Sequence, residues 1–379
     1  MSMTQRTWKR RVAAASAVVL ALLAGGCAVA PYYSQAVSGE FSMLSAARPI
    51  PQWLSDPDTP PQLRQQLELA QKIRTFASQQ LALPDNASYT RYADLHRSSA
   101  VWNVFAAQEL SLELKTWCYP LFGCASYRGY FRQSDAEALA RELSAQGLDV
   151  FVAPVPAYST LGWFSDPLLN TFVNWPEPQL AGLIFHELAH QLLYVSDDTR
   201  FNESFATAVE REGVRRWVQA RDDPRLRELY AQEQAHQADL AALLEQARAD
   251  LRQAYASSAP ATERRQRKEQ ILAQLQAQYL ALRDTRWDGY DGYDGFFRAP
   301  WNNARLAALA AYQDDVPAFE ALLAREHRDL PSFYREVKKL ADMAPEKRNA
   351  RLRALASSAT DLPIRDTMHD RQSVAAHAQ

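Results

Sequence analysis

The residues with the clearest chemical potential are His186, Glu187 and His190, which form a His-Glu-x-x-His motif. On a helix, positions i and i+4 share one face about 5–6 Å apart, so both imidazoles can bind one zinc ion. Glu187 would project beside that ion, where its carboxylate can accept a proton from water. Apolar residues at 183–185 and 192–193 predict that the helix is buried. The motif therefore predicts one catalytic Zn²⁺ per chain, with both histidines as ligands and Glu187 as the general base.

A catalytic zinc ion needs a third protein ligand and keeps its fourth position for water. The segment 202–206, Asn-Glu-Ser-Phe-Ala, resembles the helix that supplies this ligand in gluzincin metallopeptidases. The resemblance implies that Glu203 completes the site, although the gap of twelve residues after His190 is shorter than in the gluzincin aminopeptidases. Glu210, two turns further along the same helical face, is the main alternative. The other residues to consider are Asp197 and Asp198 as ligands, and Thr207 as a support for a histidine.

Four further motifs have the types and order of residues found in one family. They occupy residues 32–36, 117–120, 127–131 and 157–164. Together with the two zinc motifs, they are similar to the motifs of a family of bacterial zinc aminopeptidases, over roughly residues 30–345. The resemblance implies a zincin-like peptidase domain that binds peptide substrates.

Amide hydrolysis at such a site needs a hydrogen-bond donor for the oxyanion that forms when water attacks the carbonyl. Tyr158 and Tyr312 are the candidates for this donor. The segment 158–163 is placed to form an edge strand that pairs with the substrate backbone. An aminopeptidase also needs an acid that binds the free amine of its substrate, and the candidates for that role are Glu177, Glu210 and Asp166.

A zinc aminopeptidase is therefore the expected function, and three alternatives stay open. They are a zinc endopeptidase of the cell envelope, a non-catalytic envelope lipoprotein with a structural zinc, and an assembly factor that uses a helical hairpin. Glu187 favours catalysis, because a structural zinc site has no use for a general base. The net charge of −2 gives no indication of nucleic-acid binding.

The N terminus has the pattern of an exported lipoprotein. Basic residues at 9–11 precede an apolar run at 12–24, which is too short to span a bilayer and is followed by two glycines and Cys27. This arrangement resembles a bacterial lipobox, which implies cleavage before Cys27 and lipidation of its thiol. A plain secretory signal is the alternative. Ala28 in place of Asp favours the outer membrane, so we expect a lipid-anchored protein of the bacterial cell envelope that faces the periplasm.

The other two cysteines of the chain are Cys118 and Cys124. An exported protein folds in an oxidising compartment, and the Pro and Gly residues between the two cysteines favour a turn. We therefore expect a disulfide between them. Two reduced thiols and a metal-binding pair are the alternatives.

Hydrophobic spacing and helix breakers predict an α+β fold that is mostly helical, with a zincin-like metallopeptidase domain and an inserted antiparallel helical hairpin. Helices are expected at 179–195 and 202–221 and a strand within 99–110, and Ser134 with Glu137 has the form of a capping box. We expect a signal peptide at 1–26, a tether and N-terminal segment at 27–60, the peptidase domain at 61–355 with its hairpin at 222–286, and a disordered tail at 356–379.

One short repeat, Asp-Gly-Tyr at 288–295, stands out from the rest of the chain. Its aspartates suggest a calcium loop, but the spacing of an EF-hand and its closing Glu are absent. We therefore expect an aromatic turn that lines a site.

Overall fold

The computed structural model describes residues 32–119, 123–310 and 314–360. The lipidation candidate Cys27 and the oxyanion candidate Tyr312 lie outside the described residues. The segment predicted to be a disordered tail begins inside a helix that runs to Thr360, and residues 361–379 also lie outside the described part.

Helices dominate the molecule, which confirms the mostly helical α+β class. The helices are α1 (32–46), α2 (Ile50–Ser55), α3 (Pro61–Leu81), α4 (Gln133–Ala145), α5 (Glu177–Leu192), α6 (Thr199–Arg221), α7 (Pro224–Ala256), α8 (Ala261–Thr285), α9 (Asp294–Phe297), α10 (Asn303–Ala310), α11 (Val316–Arg325), α12 (Leu330–Ala341) and α13 (Pro345–Thr360). The strands are β1 (Arg48–Pro49), β2 (Arg91–Ala93), β3 (Val101–Gln108), β4 (Trp117–Tyr119), β5 (Gly123–Ala125), β6 (Arg128–Tyr130), β7 (Leu148–Val155) and β8 (Leu168–Leu169). Among the described helices, none combines the length and the apolar composition needed to cross a bilayer.

The longest strands form a small antiparallel sheet in the order β6-β3-β7. Strand β3, expected within 99–110, is central and has a helix on each face. Its residues alternate between the two faces, as a pleated strand requires. Trp102 and Val104 pack with side chains of α4, whereas Phe105 and Ala107 pack with Ala304 and Ala308 of α10. Two shorter sheets, β1-β2-β8 and β4-β5, complete the β structure of the described residues.

The main hydrophobic core surrounds α5 and α6, which pack closely against each other. Gly213 of α6 makes this approach close, since a Cβ there would lie 2.6 Å from Phe185 Cδ2 and 2.9 Å from Leu81 Cδ1. On its other side, α6 inserts Phe205 among aromatic side chains of α11 and α12. A helix pair held on all sides in this way provides a rigid base for side chains that project from it.

The expected helical hairpin consists of α7 and α8, which contact each other along their length. Asp223 caps the start of α7 by accepting hydrogen bonds from the backbone of Arg225 and Leu226. The hairpin has its own core, in which Leu251 and Leu275 are buried together with aromatic side chains from the segment that follows it. That segment contains the Asp-Gly-Tyr repeat, which forms turns and the short helix α9.

The N-terminal segment packs on the domain as soon as the described residues begin. Helix α1 buries Met43 and helix α2 buries Ile50 in the main core. Of the segment predicted as tether at 27–60, the described part is therefore largely helical and carries core residues.

Two local predictions were wrong. Helix α4 begins at Gln133 after Arg132, and the Ser134 side chain does not cap it, because Ser134 already lies inside the first turn. The segment 158–163 forms a turn instead of an edge strand. Leu161 and Gly162 both have positive φ angles, of 55° and 84°, which a strand cannot accommodate. The carboxylate of Asp166 holds this turn by accepting bonds from the backbone nitrogen and the hydroxyl of Thr160.

Candidate metal centre and active site

Helix α5 presents the His-Glu-x-x-His motif on a buried surface. Pro178 occupies its first turn, where a proline is tolerated, and the helix then continues to Leu192. His186 and His190 lie one turn apart, and their ring centroids are separated by 4.8 Å. Both rings are buried, whereas Glu187 between them is partly exposed. The helix therefore places the two imidazoles inside the protein and the carboxylate at the edge of solvent.

Helix α6 brings Glu203 to the same place because Asn202 fixes the chain that connects α5 with α6. The fully buried Asn202 side chain accepts a hydrogen bond from Val195 N at 2.8 Å and donates one to Val195 O at 2.7 Å. The neighbouring Ser204 hydroxyl accepts a bond from Asp315 N. Asn202, Ser204 and the core residue Phe205 thus explain why Glu203 is embedded in an Asn-Glu-Ser-Phe-Ala sequence.

The potential ligand atoms of His186, His190 and Glu203 converge, and we call these three residues the metal-site cluster. The two Nε2 atoms are 3.1 Å apart, and Glu203 Oε2 lies 3.2 Å from His186 Nε2 and 3.5 Å from His190 Nε2. Ligands at about 2.0–2.1 Å from a tetrahedral zinc ion lie about 3.3–3.4 Å from one another. The three separations match that value, and two imidazoles with one carboxylate are a donor set that zinc accepts.

Glu210 contacts the opposite side of the His186 ring. Its Oε2 atom lies 3.0 Å from His186 Nδ1, so Glu210 orients this imidazole while the Nε2 atom faces Glu203. Gly182 leaves room for Glu210, because a Cβ at position 182 would lie 3.1 Å from Glu210 Oε1. The geometry therefore favours Glu203 over Glu210 as the third ligand. Thr207, the expected support for a histidine, is buried near the site, but the bond to His186 comes from Glu210.

The charges in the cluster attract one another strongly. Burial by itself would lower the pKa of His186, but its bonds to Glu203 and Glu210 prevail and raise that pKa well above its usual value. For Glu203, burial acts to raise the pKa, and the attraction of His190 and His186 lowers it far below the usual range. The cluster therefore attracts positive charge, as a group of residues that could hold a metal cation requires.

The other two acids considered as ligands have structural roles. Asp197 accepts a hydrogen bond from Cys124 N, and Asp198 caps α6 by accepting a bond from Phe201 N. Asp198 also pairs with Arg348 at 2.6 Å. Both carboxylates stabilise the connection between α5 and α6 and do not join the metal-site cluster.

A cavity of about 620 Å³ opens beside the cluster, and we call it the active-site cavity. Its described lining consists of Val155, Pro156, Ala157, Trp175, Pro178, Gln179, Leu183, His186, Glu187, Thr207, Glu210, Arg211, Val214, Tyr230, Glu233, Gln234, Gln237, Tyr290, Gly292 and Tyr293. This volume lies within the range of ligand-binding pockets, about 300–1,000 Å³. The hairpin helix α7 and the Asp-Gly-Tyr turn both contribute to the wall, as the prediction of an aromatic turn at a site requires.

Of the two tyrosines that the sequence suggested as oxyanion donors, Tyr312 lies outside the described residues and Tyr158 has a place in the structure. Tyr158 packs against Phe131, with ring centroids 5.0 Å apart, and does not line the active-site cavity. Tyr194, which also does not line the cavity, has its ring 6.4 Å from that of His190. Burial raises the pKa of Tyr194, and the charge of Glu203 raises it further. The position of Tyr194, four residues after His190, was a sequence signal that could have identified it.

All three acids proposed to bind a substrate amine have other partners. Glu177 accepts hydrogen bonds from the Trp217 indole and from Arg221. Burial raises the pKa of Asp166 to about 6, and the charge of Glu187 contributes to the increase. The hydrogen bonds that Asp166 accepts from Thr160 act in the opposite direction and lower this pKa. Asp166 also accepts a bond from Gln191, so it links the turn at 158–163 to α5. The third, Glu210, is bound to His186.

The structure joins Cys118 and Cys124 in a disulfide across the two-stranded sheet of β4 and β5. Neither cysteine belongs to the metal-site cluster. The bond from Cys124 N to Asp197 places this disulfide hairpin against the connection between α5 and α6. The hairpin is therefore near the cluster in space although it is distant in sequence.

Comparison with known proteins gives one match. A family model described as "Putative aminopeptidase" matches residues 31–352. The matched region contains the metal-site cluster, the active-site cavity and the helical hairpin. No curated protein and no solved structure matches the chain.

Proposed function

The chain belongs to the family described as "Putative aminopeptidase", and from this premise we propose that it is a zinc-dependent peptidase with a zincin-like active site that acts as an aminopeptidase. The observation that carries the proposal is the convergence of His186, His190 and Glu203 at the separations of a tetrahedral zinc site. Glu187 lines the cavity beside this cluster. His186, one of the three proposed ligands, lines the same cavity, so the proposed base and one ligand share a wall.

Glu187 has the position of a general base. Zinc in such a site acts as a Lewis acid, polarising a carbonyl and lowering the pKa of water towards about 7. The Glu187 carboxylate takes the proton of the attacking water and later transfers it to the leaving amine. The exposed side of Glu187 faces the active-site cavity, where a scissile bond can reach it.

Tyr194 is the side chain that we propose as the oxyanion donor in place of Tyr158. Its ring lies 6.4 Å from that of His190, and a tyrosine hydroxyl is protonated at neutral pH, so it can donate a hydrogen bond. We expect Tyr194→Phe to lower kcat by about 10²-fold with little change in KM, because the bond forms mainly in the transition state. Tyr158→Phe, measured with the same peptide, should keep wild-type kcat.

The two alternative functions that also use zinc are a structural zinc site and a zinc endopeptidase, and they differ in the ligands and the cavity that they require. A structural zinc site is closed by four protein ligands, whereas the described cluster has three beside an open cavity. This observation favours catalysis over a structural zinc. An endopeptidase would share the metal chemistry and would differ only in how it binds the substrate ends.

The test of the function is Glu187→Gln. Glu187 is not among the converging ligands, so the variant should keep stoichiometric zinc by elemental analysis and lose about 10²–10⁴-fold in kcat on a peptide substrate. The exposed Glu113→Gln serves as the control and should behave as wild type. Wild-type turnover in Glu187→Gln would remove the proposed mechanism.

A further inference from the structure

Helix α7 of the hairpin places a carboxylate, Glu233, in the wall of the active-site cavity. Its Oε1 atom accepts hydrogen bonds from Gln179 of α5 at 2.9 Å and from Gln237 of α7 at 3.5 Å. The carboxylate is therefore held between the zinc helix and the hairpin. Its other oxygen makes no hydrogen bond to the described residues and remains available to a ligand.

Glu233 also forms no ion pair within the described ranges, although His236 on the next turn of α7 attracts its carboxylate. Arg211, the one Arg or Lys side chain in the described lining of the cavity, binds Glu320 at 3.0 Å. Burial raises the pKa of Glu233 and the charge of Glu210 adds to the increase, while the hydrogen bond from Gln179 and the charge of His236 lower it. A half-buried carboxylate in this state gains stability when a cation enters the cavity.

The other acids at the cavity are committed to other contacts. Glu187 is the proposed base, and Glu210 is bound to the ring of His186. Glu177 and Asp166, the remaining acids considered for this role, are not part of the described lining. Of the acids that the cavity offers, Glu233 is therefore the one with the position and the free oxygen to bind a substrate cation.

Aromatic side chains accompany Glu233 in the same wall. Tyr230 comes from α7, and Tyr290 and Tyr293 come from the Asp-Gly-Tyr turn. The ring centroids of Tyr290 and Tyr293 are 6.0 Å apart. Aromatic faces attract ammonium groups and also provide apolar contact for a side chain. The wall thus provides a carboxylate for the charged amino terminus of a peptide and aromatic contacts for its first side chain.

We propose that Glu233 binds the protonated α-amino group of the substrate, so that the hairpin selects peptides with a free N terminus. This inference rests on the proposed peptidase function and adds to it the residue that makes the enzyme an exopeptidase. Anchoring the first residue at the wall limits how far the chain extends towards Glu187. The bond cleaved is then fixed by its distance from the N terminus and not by sequence.

The test compares one peptide in two forms, with a free and with an acetylated N terminus. Wild-type zinc protein should cleave the free form preferentially. In Glu233→Gln, kcat/KM for the free form should fall by about 10- to 100-fold, because a charge-assisted hydrogen bond is lost, while cleavage of the acetylated form stays unchanged. Zinc content and the thermal midpoint should match wild type, since Gln keeps the bond from Gln179. Glu228→Gln, on the exposed face of α7, is the matched control.

Two results would overturn the inference, and they differ in whether the proposed peptidase function also fails. If wild type cleaves both forms equally and Glu233→Gln changes neither rate, Glu233 does not bind the amine, but the peptidase function stands. If zinc-loaded wild type cleaves neither form while Glu187→Gln is indistinguishable from it, the peptidase function fails as well. A selective loss for the free form in Glu233→Gln alone supports the inference.

Discussion

Glu203 and Glu210 lie two turns apart on α6 and contact opposite nitrogens of one imidazole, that of His186. The first faces the centre of the metal-site cluster, and the second fixes the orientation of the ring. His190 has no such support, since its Nδ1 atom is buried without a hydrogen-bond partner among the described residues. His186 is therefore the better oriented of the two histidines.

Substitutions on α6 should distinguish the role of the Glu203 carboxylate from that of the Glu210 carboxylate. Glu203→Ala removes a ligand, so we expect it to abolish stoichiometric zinc binding. Glu210→Gln keeps the ligands but weakens the orientation of His186, so zinc affinity should fall by only about 10- to 100-fold. Titration against a competing chelator measures both effects. The reverse order, with Glu210→Gln the more severe, would make Glu210 the ligand.

At the residue scale, the sequence predicted those site residues whose proximity follows from spacing along a single helix. Two histidines four residues apart share a helical face in any helix, so His186 and His190 were identified without tertiary information. Glu210 at His186 Nδ1, Tyr194 near the cluster and Glu233 in the cavity depend on how separate helices pack. That packing follows from Gly182, Gly213 and Asn202, whose effect on distances has no periodic signal in the chain.

At the scale of elements, the disulfide hairpin of β4 and β5 supports the connection between α5 and α6 without supplying a ligand. Reduction of Cys118 and Cys124 should lower the free energy of unfolding by about 2 kcal/mol, as expected for a short closed loop. Zinc should remain bound at wild-type stoichiometry. Hydrogen exchange should increase in 193–198, because Asp197 loses a firmly held partner.

Mass spectrometry without reducing agent provides the reference state, in which neither cysteine carries a free thiol. Release of stoichiometric zinc on mild reduction would contradict the prediction and would place the thiols in the metal site. The presence of α5, α6 and the hairpin was predictable because their apolar periodicity is local, although α5 ends three residues before the predicted 195 and α6 begins three residues before the predicted 202. The turn at 158–163 was not, because it depends on bonds from Asp166, which sequence patterns do not reveal.

For the molecule as a whole, Asp166 should make stability depend on pH. Its pKa is about 6 in the folded chain, against about 3.9 when unfolded. The folded state therefore holds an additional proton between these values, so the stabilisation is complete below about pH 4 and is lost as pH rises through 6. The loss is on the order of 3 kcal/mol. Urea unfolding at pH 4.5 and 7.5 should show it for wild type.

Asp166→Asn is the comparison for that measurement. The variant cannot titrate at this position, so its stability should decrease less than that of wild type between the two pH values. The loss of the bonds to Thr160 lowers the free energy of unfolding of the variant equally at both pH values. This loss therefore cancels when the two pH values are compared. Equal pH dependence of both proteins would assign the effect to other groups.

We also propose that Cys27 anchors the protein to the membrane of the cell envelope. Cys27→Ser should give an unlipidated precursor that is not cleaved, because the thiol is the acceptor of the lipid. Labelled palmitate and detergent partitioning distinguish the two forms. Equal membrane association of variant and wild type would indicate a different anchor.

The three proposed ligands and the proposed amine-binding residue lie on separate stretches of the chain. His186, His190, Glu203 and Glu210 come from 177–221, whereas Tyr230, Glu233 and the Asp-Gly-Tyr turn come from 224–295. With Glu233 as the proposed amine-binding residue, substitutions in the second stretch are expected to change which peptides are accepted, while the proposed ligands in the first stretch stay in place. Specificity and metal affinity should then respond to different substitutions.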